Sequence, residues 1–268
     1  MTGKMKLLIN YANNVFIKQQ KLNSRSGLKE GLFDKVISYS PKDIEPDFFK
    51  NNIKILNQKR GNGYWLWKPY FIKKTLDALS FGDFLFYCDS GSYFIRAIDP
   101  LINILTKNGQ DLMVFELMNT ERVWTKRDAF ILMDCDDTKH SESGQRLASF
   151  SLWKKSRFTI DFINEFLFFA QDERIITDIE NQCGYLNYPG FKEHRHDQSI
   201  FSLLTKKYNL PAYRDPSQFG NEEKQYYTNS DYDQIIEHTR ERHVPFFSRV
   251  TKKIQSLTNI SSGRPNCL

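Results

Sequence analysis

The chain has 268 residues, 40% of them hydrophobic and 26% charged, ordinary values for a globular protein long enough for one large domain or two small ones. A net charge of +6, from 38 Lys and Arg against 32 Asp and Glu, favours an anionic partner such as a nucleotide, a nucleic acid or a lipid surface. The four cysteines form no CxxC or Cys/His cluster, which argues against a zinc site or disulfide framework, and no window approaches the eighteen apolar residues of a membrane span.

Lys6 to Tyr11, KLLINY, reads as a buried strand that begins almost at the first residue. The apolar run there is too short for a signal peptide, so a cytoplasmic, reducing setting is expected. Residues 15–33 carry spaced apolar positions and predict a helix; DKVISYS, residues 34–40, predicts a second strand before a Pro-punctuated turn. Apolar residues then recur at Trp67, Tyr70, Phe71, Leu76 and Leu79, a helical spacing with Pro69 in the first turn. FLFYC, residues 84–88, is a strand stopped by Asp89-Ser90-Gly91. This alternation predicts an α/β fold with a mixed, mainly parallel central sheet flanked by helices.

Farther along, Leu112–Met118 is an apolar run broken by Glu116, and RLASFSLW, residues 146–153, is another strand. Residues 158–171 are helical in pattern, and residues 194–208 start polar and turn into an amphipathic helix. No repeat, low-complexity tract or linker divides residues 1–248, so one domain is expected there. In the tail, residues 249–268, Val250, Ile254, Leu257 and Ile260 share one helical stripe beside Arg249, Lys252 and Lys253. That pattern suits a helix lying on a membrane surface, and equally a packed terminal helix or a frayed end.

Four clusters carry chemistry-bearing side chains. Asp89 stands at a strand end, where ligands of open α/β sheets bind, with Ser90-Gly91 leaving room for a diphosphate; the same tripeptide also suits a plain turn. His194-Arg195-His196-Asp197-Gln198 crowds titratable groups at a helix start, where Asp197 is either a cap or part of a site. Trp124-Thr125-Lys126-Arg127-Asp128 offers cations for phosphates and a ring for stacking, or a solvated basic loop. His238 to His243 offers imidazoles as metal ligands or as exposed residues. The aromatic share, 15%, suits sugar or base stacking as well as core filling. No GxxxxGK[ST], GxSxG, HExxH or GxGxxG occurs, which disfavours P-loop enzymes, serine hydrolases, zincins and dinucleotide-binding dehydrogenases. The basic residues are dispersed, so nucleic-acid binding is not expected.

In order along the chain, Gly61-Asn62-Gly63-Tyr64-Trp65-Leu66-Trp67-Lys68-Pro69, Asp89-Ser90-Gly91, Trp124 to Asp128 and His194 to Ser199 resemble blocks of nucleotide-sugar glycosyltransferases of the GT-A fold. The resemblance is to a group from bacterial polysaccharide-synthesis loci and some large viruses, and it spans roughly residues 5–245. It implies a hexosyltransferase-type enzyme that takes a sugar from a nucleoside-diphosphate sugar, a UDP-sugar above all. The acceptor is a hydroxyl of a growing surface glycan, free or lipid-linked, such as capsule or O-antigen. Tyr11, Ala12, Trp65, Trp67, Lys68, Asp89, Ser90, Gly91, Lys126, Arg127, Asp128 and Gln198 are the implied donor-binding residues. Asp197, Lys68 and His196 are the implied catalytic ones, with Asp197 as base or as a group orienting sugar hydroxyls. Asp89 matches the first acid of the D-x-D of the family, while Gly91 stands where the metal-binding second acid belongs. Mn²⁺ or Mg²⁺ would then rest on Asp89, the diphosphate and a late histidine, His238 or else His243. The basic tail would bring the enzyme to the inner membrane face as a peripheral protein. Two other readings remain, a sugar nucleotidyltransferase of related fold and a non-catalytic carbohydrate-binding protein.

Overall fold

A computed structural model of the protein describes residues 3–239. The tail at 249–268 and His243 lie outside the described residues. The strands are β1 (Lys6–Tyr11), β2 (Lys35–Tyr39), β3 (Phe84–Cys88), β4 (Ser92–Phe94), β5 (Leu112–Thr120), β6 (Gly144–Lys154), β7 (Ala212–Tyr213) and β8 (Ile236–His238). The longer helices are α1 (Ile17–Lys29), α2 (Trp67–Ala78), α3 (Asp99–Lys107), α4 (Arg157–Ala170) and α5 (Asp197–Lys207). Six strands form one sheet in the order β2-β1-β3-β6-β5-β7, and β4 with β8 makes a separate antiparallel ribbon.

The protein is α/β, with a mixed, mainly parallel sheet flanked by helices. β1 runs parallel to β2 and β3, and β7 parallel to β5, as helical crossovers demand. Only β6 is reversed, antiparallel to both β3 and β5, and it sits between them. Successive residues alternate between two cores. Leu7, Ile9, Leu85 and Tyr87 meet α2, α4 and α5 through Phe71, Leu76, Phe162, Phe166 and Leu204. Leu8, Phe86 and Leu152 face the other side, where Leu101 and Leu105 of α3 and Phe94 of β4 cover them. All five residues of β3 are buried, which is why FLFYC reads as an unbroken apolar run and not an alternation. Each of its large side chains stabilises the fold by about 1.5–3 kcal/mol through burial.

Element boundaries differ from the sequence pattern where the backbone leaves the helical region. The helix expected over 15–33 ends at Lys29, and Leu32 takes a left-handed φ of 55°. The helix expected from 194 starts only at Asp197, because His196 has φ 51° and ψ −118°. Among the described residues no helix is long and apolar enough to cross a membrane.

Candidate active site

The segment Gly61–Trp65 is not ordinary helix. All five residues have positive φ, at 56°, 53°, 95°, 51° and 60° in turn, a short left-handed turn. A left-handed residue other than glycine costs roughly 1–2 kcal/mol, so Asn62, Tyr64 and Trp65 must be held by outside contacts. Those contacts are present. Asn62 Nδ2 donates to the Tyr11 hydroxyl, Gly63 N–H to the Gln58 carbonyl at 2.8 Å, and Trp67 Nε1 to the Gly61 carbonyl at 2.9 Å. The Trp65 ring stacks on His196 at 5.4 Å between centroids. A Cβ on Gly61 would lie 2.2 Å from the Trp65 ring. Gly61→Ala is therefore expected to push Trp65 off His196 and to cost about 1–2 kcal/mol. Urea unfolding and the near-ultraviolet tryptophan signal measure this, and an unchanged midpoint with an unchanged signal would contradict it.

This turn forms one wall of a pocket of about 710 Å³. Tyr11 and Ala12 at the end of β1, Trp65, Trp67, and Asp89-Ser90-Gly91 after β3 all line it, as do Ser149 of β6 and His238 of β8. The pocket thus stands at the carboxyl ends of parallel strands, where backbone and side chains converge. Tyr11 stacks on Trp67 with centroids 3.8 Å apart and 18° between planes. Burial pushes the Tyr11 hydroxyl up to about 12, with Asn62 opposing, so it stays a neutral phenol. Ser90 Oγ donates to the Tyr11 carbonyl at 2.6 Å, and Asp89 N–H to the Ser149 carbonyl at 2.8 Å. Those bonds tie the ends of β1 and β3 and the middle of β6 into one rigid floor. Thr239 N–H closes the far side by donating to the Gly91 carbonyl at 2.8 Å.

Beneath the floor lies a buried ionic cluster. Lys68, on the first turn of α2, places Nζ 2.6 Å from Asp197 Oδ2 and 3.6 Å from Asp89 Oδ1, and donates to the Ala148 carbonyl at 3.1 Å. Tyr87 adds its hydroxyl to Asp89 Oδ1. Lys68 and Asp197 are 4% exposed, so neither is itself a pocket surface. Burial pulls the Lys68 pKa down, but attraction to Asp197 and then to Asp89 outweighs it and the net shift is upward. Burial raises Asp197 from 3.8 to about 6, against the pull of Lys68 and with a push from Asp89. The two shifts agree physically: one ammonium serves two carboxylates, and burial makes Asp197 hold its proton to a higher pH than an ordinary carboxyl does. A base reading for Asp197 meets an obstacle here, since the residue is sealed behind Lys68 and outside the pocket lining.

The remaining expected residues fall elsewhere. Lys126 Nζ donates to the Ile179 carbonyl at 2.6 Å, and Arg127 pairs with Asp136 at 2.7 Å while lying over Tyr188. Asp128 accepts from the N–H groups of Gln182 and Cys183, which makes it a buried loop anchor. None of the three lines the pocket. Gln198 accepts from Ala148 N–H and donates to Gln145, holding α5 to β6. His196 Nδ1 donates to the Ile176 carbonyl at 2.8 Å, and burial lowers its pKa, so it is a neutral ring that supports Trp65. His194 is likewise buried and neutral, its Nε2 on the Ile175 carbonyl.

Lining residues that the sequence pattern did not single out include Asn13, Gln19, Lys59, Ser92 and Ser149. Ser149 lies mid-strand and carries no local signal, whereas Lys59, two residues before Gly61, could have been found as a cation next to a backbone turn.

Asp89 and His238 do share the pocket, but they are two donors. Gly91 supplies no carboxylate, Asp89 Oδ1 is already committed to Tyr87 and Lys68, and His238 Nδ1 faces Ser92 Oγ at 3.1 Å. Among the described residues no three His, Cys, Asp or Glu side chains are grouped to hold a metal ion. On their own these two described side chains fall short of a divalent ion's coordination shell, and no step below runs through one.

A second pocket of about 680 Å³ is lined by Asn52, Leu132, Phe168, Gln171 and their neighbours, with exposed ion pairs and no coupled buried acid. The coupled cluster assigns the site to the first. Fold and site together define an α/β protein with a ligand pocket at the carboxyl ends of β1 and β3.

No family model and no curated protein sequence matches the chain. Solved structures similar in chain course include mouse xyloside xylosyltransferase 1 in its apo form, at 11% identity and a TM-score of 0.49, covering 88% of this chain and 97% of that one. Another is the galactosyltransferase LgtC in complex with donor and acceptor sugar analogues, at 11% identity and a TM-score of 0.44, covering 97% and 98%. The sheet order and the site geometry stand without them.

Proposed function

We propose that the protein is a glycosyltransferase of GT-A type, moving a hexosyl group from a nucleoside-diphosphate sugar, a UDP-sugar in the first instance, to a hydroxyl of a growing surface glycan. The observation that carries this reading is Asp89. Among the described residues it is the one carboxylate in the pocket lining, it directly follows the buried strand β3, and it is tied through Lys68 to the buried Asp197. A nucleoside fits the aromatic wall of Tyr11, Trp65 and Trp67, and a carboxylate at the floor suits ribose or sugar hydroxyls, which it accepts as hydrogen bonds.

During transfer the acceptor oxygen bonds to the anomeric carbon as the sugar–phosphate bond breaks, negative charge develops on the departing diphosphate, and the acceptor hydroxyl proton passes to a diphosphate oxygen or to water. Asp197 acts in this reading as a positioning residue. When it is ionised it draws on the Lys68 charge, and Asp89 keeps its own negative charge for the donor hydroxyls. When it is protonated, Lys68 belongs to Asp89 alone and cancels it.

A panel of UDP- and GDP-sugars, followed by release of nucleoside diphosphate, tests the proposal. Asp89→Asn is expected to lower kcat/KM by about 100-fold or more. Release of pyrophosphate would instead favour a nucleotidyltransferase, and tight sugar binding without turnover a carbohydrate-binding protein.

A further inference from the structure

We propose that Lys59 is the diphosphate-binding cation of the pocket, an inference that rests on the nucleotide-sugar reading above. A nucleoside diphosphate brings two or more negative charges to a floor whose ionised groups, Asp89, Lys68 and Asp197, already sum to net negative. Such a ligand needs a cation on the pocket surface.

The cations expected to serve are spent. Lys68 is buried and shared by two carboxylates. Lys126 is held by the Ile179 carbonyl, and Arg127 by Asp136. Neither of the latter two reaches the lining. Among the described residues, Lys59 is the one Lys or Arg that lines the pocket. It is exposed, and among the described residues its ammonium has no hydrogen bond or ion pair.

Its backbone is fixed where its side chain is not. The Lys59 carbonyl accepts from Asn62 N–H at 3.2 Å, so the residue opens the left-handed turn that presents Asn62 to Tyr11. A long, unpaired ammonium on a rigid root is suited to close on phosphate oxygens once they arrive, and it enters no competing pair in their absence.

The test compares nucleotides with their own nucleosides. UDP against uridine and GDP against guanosine are titrated calorimetrically, with EDTA present, into the wild type and into Lys59→Ala, Lys59→Arg and Lys54→Ala. Lys54 is an exposed lysine that pairs with Glu173 and does not line the pocket, so its variant controls for loss of one charge at a distance. Lys59→Ala is expected to weaken the diphosphate by about 10- to 100-fold and leave the nucleoside unchanged. Lys59→Arg should retain most of the affinity, Lys54→Ala all of it, and the salt dependence should flatten only in Lys59→Ala. An equal loss for nucleotide and nucleoside, or no loss for either, overturns the assignment of Lys59 alone. A wild type that binds neither diphosphate overturns the nucleotide-sugar reading and this assignment together.

Discussion

Lys68→Met is expected to destabilise the protein by about 3–5 kcal/mol at pH 8, because it leaves Asp197 buried beside Asp89 without a counter-charge. The sign follows from the shifts. Lys68 is raised above 10.5, so its contribution is fully present below that pH and is lost only above it. Asp197 is raised to about 6, so at pH 5 it is largely protonated in the folded protein and has little to lose with the lysine. The cost of Lys68→Met should therefore shrink clearly between pH 8 and pH 5. Denaturant unfolding at both values measures it. Adding Asp197→Asn should recover a large part of the loss, since the uncompensated acid is then gone. A loss that is equal at both pH values, or below about 1 kcal/mol at pH 8, would contradict the shared-ammonium arrangement.

Asp197→Asn is expected to lower the transfer rate by about 100-fold and to abolish a fall in wild-type activity as pH drops through about 6. The neutral amide mimics the low-pH form, in which Lys68 is left to cancel Asp89. A merely structural residue would lower the rate without removing that limb of the pH profile. The same titration has a stability counterpart. The Asp197 contribution is fully present below its ordinary 3.8 and is lost as pH rises through about 6, so this part of the stability curve should flatten in the variant. Retention of the acidic limb in Asp197→Asn would assign it to another group.

β1, β2, β3, β5, β6 and the helices α1, α2, α4 and α5 were legible because their apolar periods are local, as in the five buried residues of FLFYC or in Tyr70, Phe71 and Leu76 of α2; β4, β7, β8 and α3 were not singled out. The place and direction of β6 were not legible, since RLASFSLW carries no mark of which neighbours it meets or in which direction. The pocket ends of β1 and β3 could be read from Asp89 and from Tyr11. The charge arrangement could not. Lys68 looks like any cation in the first turn of a helix, and only its fold-wide contacts with Ala148, Asp89 and Asp197 show it sealed. The partners of Lys126 to Asp128 were hidden in the same way, because a basic run in sequence says nothing about the acids and carbonyls that await it in space. The left-handed turn was half visible. Two glycines announce unusual backbone, but Asn62, Tyr64 and Trp65 do not, and tertiary contacts overrule their preference.

The central place of β6 also bears on how the chain comes off the ribosome. Until residues 144–154 emerge, the growing chain has β2-β1-β3 with one open apolar edge and β5 with no partner to join it to them. Such an edge invites pairing with other chains, so fragments that stop before residue 144 should aggregate. The same strand delivers the Ala148 carbonyl to Lys68 and Ser149 to Asp89. Closing the sheet and assembling the pocket floor therefore both wait on β6, and no product truncated before residue 144 keeps the pocket floor.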